Sequence, residues 1–285
     1  MVFDNGSCPK VQEELKSLQN SGHIQFLFLS RFNFGKVAAI NWILSAMPNE
    51  WICYSDGDMF FRPGWFESCL VIFDAFPRAG LVFAQPTFFD VLRGTGQAQN
   101  MLETDIRYRL SNLVLPTEAV KEYARGFGLN DDQEKALIKT PLRVVEENSR
   151  SVRAVVGASH NQFLVRRDVA RQIVPLPAEY ALSTKEDAAF NRRVDDLGLL
   201  QLSTLEPYTF HMGNRVDELT RREIDRLNLN TILTSSINQR EGSLPASSGP
   251  LKRGVLGLLG SFSRLAFFNN LMKRLYNLLF EFYAK

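Results

Sequence analysis

The chain is short of the residues that would mark it for an oxidising compartment, a membrane span or a nucleic-acid partner. It has three cysteines, Cys8, Cys53 and Cys69, odd in number and widely spaced. That excludes a disulfide framework and offers no cysteine-based metal site, so they read as reduced, partly buried thiols of a cytosolic protein. No secretory signal opens the sequence, and no uninterrupted run of about 18 apolar residues suggests a transmembrane helix. Neither sign of charge dominates: 33 Lys/Arg against 31 Asp/Glu leave a net +2, which argues against a nucleic-acid binder. No internal repeat is visible.

What remains is ample material for a core. The 285 residues are 45% hydrophobic and 22% charged, as suits one large domain or a domain with an appendage. Short apolar runs at 1–3, 24–29, 51–54, 81–84, 153–156, 162–165, 199–202 and 208–210 read as strands. Helical spacing recurs at 9–20, from 36 onward, at 64–76, near 168–173, at 186–197 and at 216–229. Strands alternating with helices predict an α/β fold: a doubly wound, mostly parallel sheet with helices on both faces. Residues 87–150 are polar and mainly helical in pattern, with no clear strand. Residues 1–234 form the predicted domain, and 235–250 (SSINQREGSLPASSGP) have the composition of a linker. Residues 251–285 carry six Lys/Arg and one Glu, net +5, leaving the rest of the chain at net −3. There Leu258, Phe262, Leu265, Phe268, Leu271, Leu275, Leu278 and Phe282 recur at helical spacing.

The segment Asp56-Gly57-Asp58 is the most informative. It follows the apolar run Trp51-Ile52-Cys53-Tyr54, so two carboxylates stand at a strand's carboxyl end. Side chains at i and i+2 of an extended segment point the same way. Two carboxylates in one crevice repel unless a cation lies between them, and Mg²⁺ and Mn²⁺ favour oxygen ligands. Alone the pattern is more often a solvated turn. Four further segments accompany it in order: Asp4-Asn5-Gly6-Ser7 after a strand, Asn33-Phe34-Gly35-Lys36 running to Asn41, Lys185-Glu186-Asp187 at a helix start, and His211-Met212-Gly213-Asn214 after a late strand.

Taken together, the set resembles the family 2 glycosyltransferases, which have the GT-A fold, over roughly residues 1–215. The resemblance implies a metal-dependent, inverting transferase that moves a sugar from a nucleotide-sugar donor to a glycan or lipid-linked acceptor. It implies that Asp4 hydrogen-bonds the base, and that Asn33, Gly35 and Lys36 contact the donor. Asp56 would meet the ribose or the metal's water shell. Asp58, with Asp56 and His211, would hold Mn²⁺ or Mg²⁺ at the diphosphate. Asp187 would be the base that takes the acceptor proton, and Glu186 would orient the acceptor. Each residue also has a plainer reading. Asp4 suits an Asx turn, Asn33 a helix cap, and Glu186-Asp187 an acidic helix start that complements the dipole. Lys36 suits a solvated charge, and a lone histidine is more often structural.

The family's usual first strand has no counterpart at the start of this sequence: either the start is truncated or the strand is absent, and a missing strand would expose a sheet edge and remove part of the donor pocket. A non-catalytic nucleotide- or glycan-binding relative is therefore an alternative reading. A nucleotidyltransferase is a third, but it calls for a glycine-rich phosphate loop near the start, and none is seen. The basic apolar tail, 251–285, fits a helix lying on an anionic membrane surface. That would place the protein in the cytoplasm, at the inner face of the membrane.

Overall fold

A computed structural model describes residues 1–88, 96–176, 186–213 and 216–227, with 186–188 described by backbone alone. The linker 235–250 and the tail 251–285 lie outside the described residues. Among the described residues no helix is long and apolar enough to cross a membrane. The chain divides into two compact units, Met1–Thr220 and Arg221–Lys285. The described residues of the second, 221–227, carry the end of helix α9 (Glu218–Arg226), where Arg226 pairs with Glu223.

The first unit opens with strand β1 (Val2–Asp4), helix α1 (Pro9–Asn20) and strand β2 (Leu27–Leu29). α1 begins at a proline, whose missing N–H is no loss in a first helical turn. β1 and β2 pair in parallel, Phe3 beside Phe28, as a separate two-stranded sheet. Helix α2 (Lys36–Ala46) then leads to β3 (Trp51–Ser55), β4 (Met59–Phe61), α3 (Trp65–Ala75) and β5 (Ala79–Phe83). Beyond come α4 (Gly96–Thr104), β6 (Tyr108–Leu113), α5 (Thr117–Gly126), α6 (Asp131–Ile138), β7 (Leu142–Glu147) and β8 (Val152–Val156). The last elements before α9 are β9 (Gln162–Arg166), α7 (Arg167–Ile173), α8 (Glu186–Asp196), β10 (Leu200–Ser203) and β11 (Thr209–His211).

The expected α/β architecture with a central sheet is present, but the expected parallel, doubly wound sheet is not. Seven strands lie in the order β3-β9-β5-β10-β8-β7-β6. Only β5 and β10 pair in parallel there, and the other ladders of that sheet are antiparallel. The connections explain the difference. β7 and β8 are joined by residues 148–151 alone, too short for the crossover that parallel neighbours need. β9 returns between β3 and β5, running opposite to both. The expectation of no strand in 87–150 is also overturned, since β6 and β7 lie there, although α4, α5 and α6 are helical. β4 was not foreseen; it pairs antiparallel with β11 as a second small sheet.

The core follows the pleat. Leu81, Phe83, Phe163 and Val165 face one buried cluster with Val37, Ile40 and Leu44 of α2 and Phe190 and Val194 of α8. Val82 and Leu164 face the other, with Cys69, Ile72 and Phe76 around α3 and Ala98 and Leu102 of α4. Alternate residues thus feed two helical layers, one on each face. Of the three cysteines read as partly buried, only Cys69 is buried, whereas Cys8 and Cys53 are exposed.

Candidate functional site

The carboxyl ends of β1 and β3 and the loop entering α2 are joined by a chain of polar contacts. Asp4, the last residue of β1, is buried. Its Oδ2 accepts from Gln12 Nε2 at 2.9 Å and from the Ser7 amide at 3.3 Å. Gln12 also donates to the Ser30 carbonyl at 3.2 Å, fastening α1 to the end of β2. The Asx-type contact to Ser7 and a buried carboxylate are therefore both present at Asp4.

Next to it, Asn5 clamps the loop before α2. Its Oδ1 accepts from the Phe34 amide at 2.7 Å, and its Nδ2 donates to the Gly35 carbonyl at 3.0 Å. Asn33 Oδ1 accepts from the Gly35 amide at 2.8 Å, so Asn33 turns back on its own loop. Gly35 sits at φ 82, a conformation that glycine adopts without steric cost.

Lys36, the first residue of α2, is not a freely solvated charge. Its Nζ pairs with Asp56 Oδ2 at 2.8 Å, each side chain keeping a quarter of its surface exposed. The Tyr54 hydroxyl donates to Asp56 Oδ1 at 2.9 Å, and the Asp56 amide donates to the Asn161 carbonyl at 2.7 Å. Both oxygens of Asp56 are thus engaged. The turn 157–161 abuts Asp56 through Asn161, while His160 packs on Phe190 at 4.7 Å between rings.

Asp58 meets His211 across the β4–β11 ladder, where Met59 stands opposite His211. His211 Nε2 lies 3.2 Å from Asp58 Oδ2, and the Met212 amide donates to the Asp58 carbonyl at 2.8 Å. The Gly213 amide donates to His211 Nδ1 at 2.9 Å, which puts the ring proton on Nε2, facing the carboxylate. Asp58 Oδ1 is buried and has no hydrogen-bond partner. A buried, unpartnered carboxylate oxygen is costly and calls for an explanation. Among the described residues no group of three His, Cys, Asp or Glu side chains converges as a metal cage.

Glu186 and Asp187 open α8, as expected, but their side chains lie outside the described residues, as do Lys185 and Asn214. Trp65 meets Phe61 and Phe66 edge-on and packs on the core. Sequence reasoning missed Gln12 and Tyr54 as site residues. Their only signal is proximity across the fold, which no local spacing records.

Residues 1–133, just under half of the chain, match the model of a protein family described as glycosyl transferase family 2. The match contains Asp4, Asn33, Gly35, Lys36, Asp56 and Asp58 and stops short of Glu186, Asp187 and His211. This part of the chain is similar to that family, which supports a GT-A-like fold for it and, at the family level, a glycosyltransferase-like function. No curated protein matches the chain.

Proposed function

We propose that the protein is a metal-dependent inverting glycosyltransferase that takes a sugar from a nucleotide-sugar donor. The observation that carries this reading is the orphaned, buried Asp58 Oδ1 two residues from the Lys36–Asp56 pair. The family match supports the class of reaction. In this proposal the base lies toward Asp4, the ribose toward Asp56 and the diphosphate toward Asp58.

The chemistry of Asp58 suits a hard divalent cation, Mn²⁺ or Mg²⁺, because it offers carboxylate oxygens, one of them without another partner. Such a cation would act as a Lewis acid on the diphosphate leaving group. His211 presents a proton to Asp58 in the arrangement seen, so it orients that carboxylate. Ligation through Nε2 would require the proton to move to Nδ1 at the expense of the Gly213 bond. Lys36 stands ready to exchange its carboxylate partner for a donor phosphate, since α2's first amides also favour an anion there. Asp187 takes the acceptor hydroxyl's proton as the glycosidic bond forms, and Glu186 steers the acceptor, a glycan or a lipid-linked glycan. The basic tail, 251–285, brings the protein to an anionic membrane surface on the cytoplasmic side.

The test is turnover of a panel of nucleotide sugars by the full chain with Mn²⁺ or Mg²⁺. Asp58→Asn is expected to lower donor turnover by about 100-fold or more, in keeping with the loss of electrostatic stabilisation at a leaving group. Asp187→Asn is expected to lose about 10²–10⁴-fold, the range for a general base. Donor binding without turnover in the unaltered protein would instead establish a non-catalytic binding module.

A further inference from the structure

The structure offers one device that neither the motifs nor the family match accounts for: the seating of His211 on helix α5. We infer that Gly126 and Phe127, at the end of α5, are positioning residues that hold the His211 ring against Asp58. This rests on the reading of Asp58 as the cation-binding carboxylate.

Three observations converge. The first is close approach. Gly126 is the last residue of α5 and lies at the point where the helix meets β11. At Gly126 an added Cβ would run into the His211 carbonyl oxygen and stand 3.1 Å from the His211 Cβ. Only glycine lets α5 come this near to β11. The second is the ring contact. The Phe127 ring lies 5.1 Å from the His211 imidazole, and Tyr123 continues the row at 4.5 Å from Phe127. Phe88 extends it, 4.8 Å from Tyr123. One face of the imidazole therefore has a fixed aromatic wall, and the Gly213 amide fixes its edge.

The third is the anchoring of α5. Arg62, the residue after β4, makes a two-point ion pair with Glu122 of α5 at 2.8 and 2.7 Å. It also donates to the Pro207 carbonyl at 2.7 Å, just before β11. Arg125 pairs with Asp217. Valid recognition of a carboxylate by a guanidinium fork is strongly directional. The same arginine thus ties α5 to both strands of the ladder that presents Asp58 and His211. A helix held this way cannot slide along β11 without breaking the fork, so it transmits a fixed position to the imidazole.

The experiment uses the full chain with ¹⁵N-labelled histidine at a single fixed pH. Long-range ¹H–¹⁵N spectra report which ring nitrogen of His211 carries the proton, and Mn²⁺ binding is followed by calorimetry. The unaltered protein is expected to show the Nε2–H form. Phe127→Leu keeps an apolar side chain but removes the ring wall. It is expected to give mixed His211 tautomers and Mn²⁺ binding weaker by about tenfold, the low end for loss of a residue that orients a ligand. Phe127→Tyr retains the ring and is expected to restore both. Gly126→Ala is expected to disturb the His211 signals at least as much; if it fails to fold, the Phe127 pair decides. Folded Phe127→Leu protein with unaltered His211 signals would overturn the inference. Should the unaltered protein bind no Mn²⁺, the metal reading fails, and the tautomer signals alone decide the positioning role.

Discussion

The layer formed by β1, α1 and β2 and the seven-stranded sheet are held together in different ways. In the sheet, all five residues of β5 and all four of β10 are buried, and the two core clusters interlock through β9. In the first layer α1 buries no residue, β2 is only half-buried along its length, and none of its residues joins a core cluster. Phe26, in the approach to β2, is 60% exposed, and Phe32, Phe34 and Trp42 are about half exposed. Gln12, Asn5 and Ser30 hold this layer by hydrogen bonds at the carboxyl ends of its strands. The large apolar interior supplies rigidity, while in the proposed function the lightly packed layer supplies polar groups whose bonds are exchanged for a ligand's. Ligand-binding segments are commonly drawn from the less stable parts of a fold.

That contrast can be broken at its strong end first. Leu164 is 1% exposed in the middle of β9, between Cys53 and Val82. Leu164→Ala should destabilise the protein by about 2–5 kcal/mol, because the site cannot collapse around the lost atoms. Urea unfolding would measure it; a loss under about 1 kcal/mol would mean that the sheet is less tightly packed than its burial indicates.

The weak end should respond locally. Gln12→Ala leaves the buried Asp4 carboxylate without its shorter hydrogen bond, at a cost of about 1–3 kcal/mol. Amide hydrogen exchange should accelerate in β1 and β2 and stay slow in β5. Equal acceleration in both would show that the layers unfold as one.

The smallest effect expected is an acid one, at the corner between β7 and β8. The Ser149 hydroxyl holds the Glu147 carboxyl below its ordinary value, helped by the Arg150 and Ser149 amides and the Arg150 charge, against the opposing influence of burial. A lowered folded-state value means that the contribution is complete above the ordinary glutamate range. It is lost as pH falls through the folded value. Glu147→Gln should lower stability slightly at neutral pH, where the contribution is complete, and converge on the parent in acid, so that the acid limb is flatter. A steep acid limb that persists in the variant would assign it to other carboxylates.

How much of this was legible depended on whether the information was local. α1 was readable to its ends from its apolar spacing, and β3, β9 and α7 were found within a residue or so. β6 (YRLSNL) and β7 (LRVVEE) were not, because charged residues interrupt both and mask their apolar positions. Strand direction was misread for another reason. A strand buried on both faces has the same apolar run whichever way it travels. At the candidate site the carboxylates and His211 could be singled out by residue type and by their place after strands. Their partners could not, since Tyr54, Gln12 and Gly126 act through contacts that only the folded chain brings about.

The strand order has a consequence for how the protein can be dissected. Among residues 1–133, the strands that enter the large sheet are β3, β5 and β6, and no two of them are neighbours there. Every hydrogen-bonded partner that they have in that sheet comes from later in the chain. The stretch that carries the family likeness is thus a set of alternate staves, and the C-terminal half of the unit supplies those that close the gaps. Excised at residue 133, it would keep the recognisable sequence and lose the sheet.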